Sequence, residues 1–130
     1  MARPVHQMIR VRDEQASLGF YREAFGLTEA TRVPFDDFTL IYLRGPEDAF
    51  EVELTVNNDR DAPYDLGDGY GHLAVSVEDL DAERQRMDAA GLEPGEVKEL
   101  VNGEFRARYF FIRDPDGYAI EVLQRGGRFV

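Results

Sequence analysis

The sequence has no cysteine, only two histidines and few basic residues, and each of these scarcities narrows what the protein can be. Without cysteine, disulfides, thiolate catalysis and cysteine-ligated zinc or iron–sulfur sites are excluded, and a reducing, cytoplasmic location is expected. There is no run of about 18 apolar residues and no basic leader followed by an apolar segment. We therefore expect neither a transmembrane span nor a signal peptide.

The charge balance is strongly acidic, with 15 Lys and Arg residues against 26 Asp and Glu residues and a net charge of −11. This balance argues against nucleic acid and anionic membranes as partners, because both require clustered positive charge. At 130 residues and 43% hydrophobic composition, the chain is long and apolar enough for one domain with a core. A small-molecule partner remains, and an anionic one would need a local cation.

Two similar halves follow one another along the chain. Each has a strand, an aspartate that can cap a helix, an amphipathic helix and a glycine. These features are 5–13, Asp13, 14–25 and Gly26 in the first half, and 71–79, Asp79, 80–90 and Gly91 in the second. The caps are 66 residues apart and the glycines 65. Spacing this regular indicates an internal duplication.

Further strands follow each helix, at 38–45 and 49–56 in the first half and at 104–112 and 118–124 in the second. The segment 57–69 is polar and rich in glycine and aspartate, which is typical of a linker. The sequence therefore predicts an α+β fold made of two βαβββ modules, 1–60 and 68–130, in a single domain spanning 1–130.

A glutamate in the last strand of each half needs an explanation. Glu121 shares its strand face with Ala119 and Leu123, where an unpaired carboxylate is costly. Glu53 is the matching residue, 68 positions earlier, although its neighbours Glu51 and Thr55 are typical of a solvent-facing strand side. Paired charge, hydrogen bonds or a metal ion are the usual remedies for such a carboxylate.

The two histidines match in the same way, since His6 and His72 lie 66 positions apart in the first strands of the two halves. Taken singly, a strand histidine is usually structural and a strand glutamate is usually solvated. The matching of both histidines with Glu53 and Glu121 favours a metal site instead. Two imidazoles and two carboxylates suit Zn, Ni, Co, Fe or Mn better than Ca or Mg. A ligating carboxylate that loosens from the metal can also serve as a general base.

Four segments carry a resemblance to the glyoxalase I (lactoylglutathione lyase) family of the vicinal-oxygen-chelate superfamily. They are "HQMIRV" at 6–11, "VELTVN" at 52–57, "YDLGDGYGHLAVSV" at 64–77 and "DPDGYAIEV" at 114–122. The resemblance implies the glyoxalase/bleomycin-resistance/dioxygenase fold, in which two modules form curved mixed sheets around a metal site. It also implies a homodimer in which His6 and Glu53 of one chain meet His72 and Glu121 of the other.

The family chemistry is isomerisation of the hemithioacetal of methylglyoxal and glutathione to S-D-lactoylglutathione through an enediolate. The resemblance places Glu121 at the family's base position, with Glu53 sharing the proton transfer. It places Arg10 and Asn57 at positions that contact glutathione. The short chain is similar to the nickel- or cobalt-preferring bacterial branch, with zinc, manganese or iron as alternatives.

One segment departs from the family pattern. A basic, glycine-rich loop that contacts glutathione is replaced by "ELVNGEFRARYF" at 99–110, where Arg106 and Arg108 are candidate substitutes. Other members of the superfamily are therefore alternatives. They are an epimerase, a dioxygenase or a thiol transferase, although the last two usually carry histidine in place of Glu53. A further alternative is a binding protein of the bleomycin-resistance type, which has no metal.

Overall fold

The chain divides into two units that repeat one order of elements. The computed structural model describes all residues from 1 to 130, and their contacts separate into Met1–Asp65 and Leu66–Val130. The first unit contains β1 (His6–Val11), α1 (Glu14–Phe25), β2 (Thr28–Pro34), β3 (Phe38–Arg44) and β4 (Glu51–Asn57). The second contains β5 (Leu73–Val77), α2 (Leu80–Ala89), β6 (Lys98–Asn102), β7 (Phe105–Arg113) and β8 (Ala119–Gln124). The predicted α+β fold of two βαβββ modules is confirmed.

Each unit forms one four-stranded mixed sheet. The strand order is β1-β4-β3-β2 in the first sheet and β5-β8-β7-β6 in the second. The first and last strands of each unit pair in parallel, and the other pairs are antiparallel. The last strand of each unit therefore lies inside its sheet, with a neighbour on both sides.

Strand alternation gives each sheet an apolar face and a more polar face. In the first unit the buried apolar residues are Ile9, Val11, Ile41, Leu43, Val52 and Leu54 of the sheet, with Phe20, Tyr21 and Ala24 of α1. In the second unit they include Phe110, Ile112, Ile120 and Val122 of the sheet, with Leu80 and Met87 of α2. Alternate residues of the same strands, among them both predicted glutamates, occupy the opposite face.

The helices begin and end close to the predicted positions because local signals define their ends. The side chain of Asp13 accepts a hydrogen bond from the backbone N–H of Ala16 at 3.1 Å, and that of Asp79 accepts one from Ala82 at 3.0 Å. Gly26 ends α1 in the left-handed region, at φ 68°. Neither helix has the length and apolar character needed to cross a bilayer.

The strands β2 and β6 complete the two βαβββ modules, and their positions were not located in the sequence. Both lie at sheet edges, and six of the seven residues of β2 and all five of β6 are exposed. Because an exposed edge strand needs no apolar alternation, its sequence lacks the pattern that indicates a strand.

Candidate metal centre

His6 and Glu53 are neighbours on the polar face of the first sheet. His6 begins β1, and Glu53 lies near the middle of the parallel strand β4. The Nε2 atom of His6 is 3.4 Å from Oε2 of Glu53. The His6 side chain is 38% exposed, whereas that of Glu53 is only 10% exposed. The solvent-facing interpretation of the Glu51–Thr55 segment is therefore wrong for Glu53, because the flanking strands β1 and β3 cover it.

His72 and Glu121 repeat this arrangement in the second unit. His72 immediately precedes β5, and Glu121 lies in β8, opposite Ala74 of β5 and Phe111 of β7. The Nε2 atom of His72 is 3.6 Å from Oε1 of Glu121, and the two side chains are 41% and 17% exposed. Each unit thus has one half-exposed imidazole beside one largely covered carboxylate.

Both pairs have a spacing that fits two ligands of one metal ion. Two donor atoms about 2.0–2.2 Å from a metal, at an angle of about 110–120°, are separated by roughly 3.3–3.8 Å. The observed 3.4 and 3.6 Å separations fall within that range and are longer than a good hydrogen bond. No Lys or Arg pairs with either carboxylate, so a cation would supply the missing charge. Within each unit no third His, Asp or Glu joins the pair, and each unit by itself presents two donors.

Tyr42 adds a contact that the sequence did not indicate. It lies on β3 directly opposite Glu53, and its hydroxyl donates a hydrogen bond of 2.6 Å to Oε1 of Glu53. This hydrogen bond raises the pKa of Tyr42, because ionisation would remove the donor, and desolvation and the charges of Glu53 and Glu51 add to the effect. The carboxylate of Glu53 therefore has one oxygen bound to a tyrosine and the other beside His6.

The two predicted substrate contacts, Arg10 and Asn57, lie on the same sheet face as Glu53. Arg10 is opposite Thr55 in the β1–β4 register, and Asn57 ends β4. The Nδ2 atom of Asn57 donates a hydrogen bond of 2.9 Å to the hydroxyl of Tyr64. The guanidinium of Arg60 lies 4.1 Å from the centre of the Tyr64 ring. The polar segment after β4 is thus folded against Asn57, which orients its amide.

The structure places Arg106 and Arg108 on the other face of the second sheet. Both alternate with Phe111 along β7, on the side of the buried Phe110. Arg108 donates hydrogen bonds of 3.0 and 2.8 Å to the two carboxylate oxygens of Asp81 in α2. The expectation that either arginine replaces the missing basic loop is not supported, because strand alternation turns both away from the His72–Glu121 side.

Comparison with known proteins identifies relatives along almost the whole chain. A lactoylglutathione lyase of Arabidopsis thaliana is 38% identical over 130 residues, which is 94% of this chain and 44% of that protein. A lactoylglutathione lyase of Neisseria meningitidis is 36% identical over 131 residues, covering 95% of this chain and 91% of the relative. The chain thus spans less than half of the plant relative and nearly all of the bacterial one.

Solved structures give the same result at the level of the fold. Glyoxalase I of Leishmania major, described as trypanothione-dependent, superposes with a TM-score of 0.76 at 32% identity, covering 95% of this chain and 87% of that one. The sequence model of the Glyoxalase/Bleomycin resistance protein/Dioxygenase superfamily matches residues 3–122 of this chain. The chain belongs to this superfamily.

Proposed function

We propose that the chain is a metal-dependent isomerase of the glyoxalase I type, which converts the hemithioacetal of methylglyoxal and glutathione to S-D-lactoylglutathione. The observation that carries the proposal is the matched pair of His–Glu contacts, 3.4 Å in one unit and 3.6 Å in the other. It is supported by bacterial relatives named lactoylglutathione lyase that match over nearly their full length. The biological role would be detoxification of methylglyoxal.

The proposed metal ligands are His6, Glu53, His72 and Glu121. Two imidazole nitrogens and two carboxylates form a donor set suited to first-row transition metals. Nickel or cobalt is the first choice from the family resemblance, and zinc, manganese or iron would suit the same donors. When bound, the ion supplies positive charge that stabilises the negative charge developing on the substrate oxygens.

Glu121 is the proposed general base. Its carboxylate takes the proton from the carbon that bears sulfur and hydroxyl, giving an enediolate, and returns the proton to the neighbouring carbon. The hydroxyl proton of the first carbon passes to the oxygen of the second. The first carbon thereby becomes the thioester carbonyl and the second the hydroxyl-bearing carbon of lactate, so the reaction is a net isomerisation. The low exposure of Glu121, 17% for its side chain, limits exchange of that proton with water. The family resemblance implies a share in this proton transfer for Glu53 as well.

Arg10 and Asn57 are the proposed contacts to the thiol co-substrate. Both share the sheet face of Glu53, and a guanidinium suits a carboxylate of glutathione because it binds two oxygens at once. Arg106 and Arg108 contribute no contact from the 99–110 segment, so glutathione is held by fewer basic side chains than the family resemblance implies. A thiol other than glutathione is therefore included in the assay below.

A homodimer is proposed as the working assembly, with the His6–Glu53 pair of one copy facing the His72–Glu121 pair of another. This arrangement is supported by the two-donor content of each unit. The proposed location, from the cysteine-free composition, is the cytoplasm.

The test is isomerase activity of metal-stripped protein as Ni, Co or Zn is added back, with methylglyoxal and either glutathione or trypanothione. We expect activity to return with one equivalent of metal per pair of half-sites. Metal binding without turnover would show that the proposed substrate is wrong. No metal binding at all would contradict the enzyme proposal and favour a metal-free binding protein.

A further inference from the structure

The two half-sites have an aromatic ring at the same position, and the two rings differ by one hydroxyl group. Tyr42 faces Glu53 across the β3–β4 pair, and Phe111 faces Glu121 across the β7–β8 pair. Each ring also meets the neighbouring histidine edge to face, with centroids 5.6 Å apart for His6–Tyr42 and 5.2 Å for His72–Phe111. The same ring position therefore carries a hydroxyl group in the first unit and none in the second.

That hydroxyl gives the two oxygens of Glu53 different partners. Oε1 accepts the 2.6 Å hydrogen bond from Tyr42, and Oε2 faces Nε2 of His6. A short hydrogen bond from a hydroxyl to a carboxylate is among the strong hydrogen bonds of proteins. The carboxylate cannot rotate or withdraw without breaking this bond, so only Oε2 is presented to a metal.

Glu121 has no equivalent restraint. The phenyl ring of Phe111 packs against His72 but offers no donor, and the Glu121 carboxylate lies 3.6 Å from the His72 nitrogen, beyond hydrogen-bond distance. Its side chain is also more exposed than that of Glu53, at 17% against 10%. Glu121 is thus the carboxylate that can change its position during a reaction.

We propose that Tyr42 is a positioning residue that fixes Glu53 as a permanent metal ligand and thereby leaves proton transfer to Glu121 alone. The proposal rests on the proposed metal site and isomerase function, and it resolves how two matched carboxylates take different roles. It predicts that removing the hydroxyl from the first unit will weaken metal binding, and that adding a hydroxyl to the second unit will slow turnover.

Two reciprocal variants of the full-length protein test this. Tyr42→Phe gives the first unit the ring of the second, and Phe111→Tyr gives the second unit the ring of the first. The dissociation constant for Co²⁺ is measured by competition with a chromophoric chelator, the Co²⁺ absorption spectrum is recorded, and kcat and KM are then determined. Circular dichroism and thermal unfolding of the metal-free proteins check that each variant is folded.

For Tyr42→Phe we expect Co²⁺ binding to weaken about tenfold, as for loss of a group that orients a ligand, together with a changed Co²⁺ spectrum. For Phe111→Tyr we expect Co²⁺ binding at least as tight as in the unchanged protein and kcat lowered about tenfold or more, with KM within about twofold. This split would not arise from a general loss of structure.

Co²⁺ affinity and spectrum unchanged in Tyr42→Phe would overturn the positioning role, even if the unchanged protein is an active isomerase. Unchanged kcat in Phe111→Tyr would overturn the mobility of Glu121, and this variant decides the matter if Tyr42→Phe does not fold. Failure of the isomerase proposal looks different, because the unchanged protein would then bind Co²⁺ and respond to Tyr42→Phe without any turnover.

Discussion

Replacement of Glu121 by glutamine is expected to change stability in opposite directions with and without metal. Glutamine keeps the shape of the side chain and removes a charge that is 17% exposed and lies beside His72. In the metal-free protein, removing this poorly solvated charge should raise the free energy of unfolding by about 0.5–1 kcal/mol, the low end of the cost of burying polar groups. That gain corresponds to an increase of roughly 2–5 °C in the unfolding temperature.

Bound metal reverses the order of stability of the two proteins. At a free metal concentration 100 times the dissociation constant of the unchanged protein, binding stabilises that protein by about 2.7 kcal/mol. If the variant binds metal 10–100-fold more weakly, the same concentration stabilises it by only about 1.4 to 0.4 kcal/mol. The variant is therefore the more stable protein without metal and the less stable one with it. Isomerase activity should fall at least 10²–10⁴-fold in parallel, because the base is lost.

Thermal unfolding of both proteins, with chelator and at fixed free Ni²⁺, measures these shifts. Glu53→Gln is the matched control, because its gain from losing a charge is offset by the weaker hydrogen bond that Tyr42 makes to a neutral amide. We expect its metal-free stability to lie about 1 kcal/mol below that of Glu121→Gln. If Glu121→Gln gains as much stability from metal as the unchanged protein does, the ligand role of Glu121 is refuted. If Glu121→Gln is the less stable protein without metal, the argument that its charge is poorly solvated is refuted.

Three further outcomes test the helix caps, the substrate contacts and one ion pair. Asp13→Ala and Asp79→Ala should each lower the free energy of unfolding by about 1 kcal/mol in denaturant titrations, with asparagine at either position restoring most of the loss; an unchanged midpoint would refute the capping role. Arg10→Ala should raise KM for the glutathione adduct about tenfold or more and leave kcat nearly unchanged, and this rise in KM should be smaller at high salt. A KM equal to that of the unchanged protein would show that Arg10 does not contact the substrate. The Arg108 guanidinium lowers the pKa of Asp81, so this link stabilises the fold above the ordinary aspartate pKa and is lost as pH falls through the lowered value. Arg108→Ala should bring the NMR-measured pKa of Asp81 back up to the ordinary range, and a pKa that stays low would show that another group is responsible.

The parts of the fold that follow from the sequence are those defined by local signals. Asp13 and Gly26 mark the ends of α1, and the repeat of the same signals 65–66 residues later reveals the duplication. The His–Glu pairs also follow, because each joins the first and last strands of its half and these strands pair in parallel. Matching across the repeat is a nonlocal signal that a single strand does not contain.

The features of the site that the sequence does not reveal depend on strand register and on which face of a strand is buried. The place of Tyr42 opposite Glu53 requires the β3–β4 register, which strand composition alone does not specify. Once the repeat was aligned, the tyrosine within "FTLIYLRG" and a phenylalanine within "EFRARYFFI" were the available clue. The face of β7 on which Arg106 and Arg108 lie becomes clear only from the buried positions of Phe110 and Ile112.

Pairing the first strand of each unit with its last has a consequence for synthesis on the ribosome. β1 is made early, but its hydrogen-bond partner β4 ends at residue 57, so the first sheet remains open until the 46 residues after Val11 have emerged. Until then β1 presents an unpaired edge, and its apolar Ile9 and Val11 have no complete sheet in which to be covered. Contact between His6 and Glu53 forms only when that gap closes. The His6–Glu53 contact is therefore complete once the first unit has folded, while the second is still being translated.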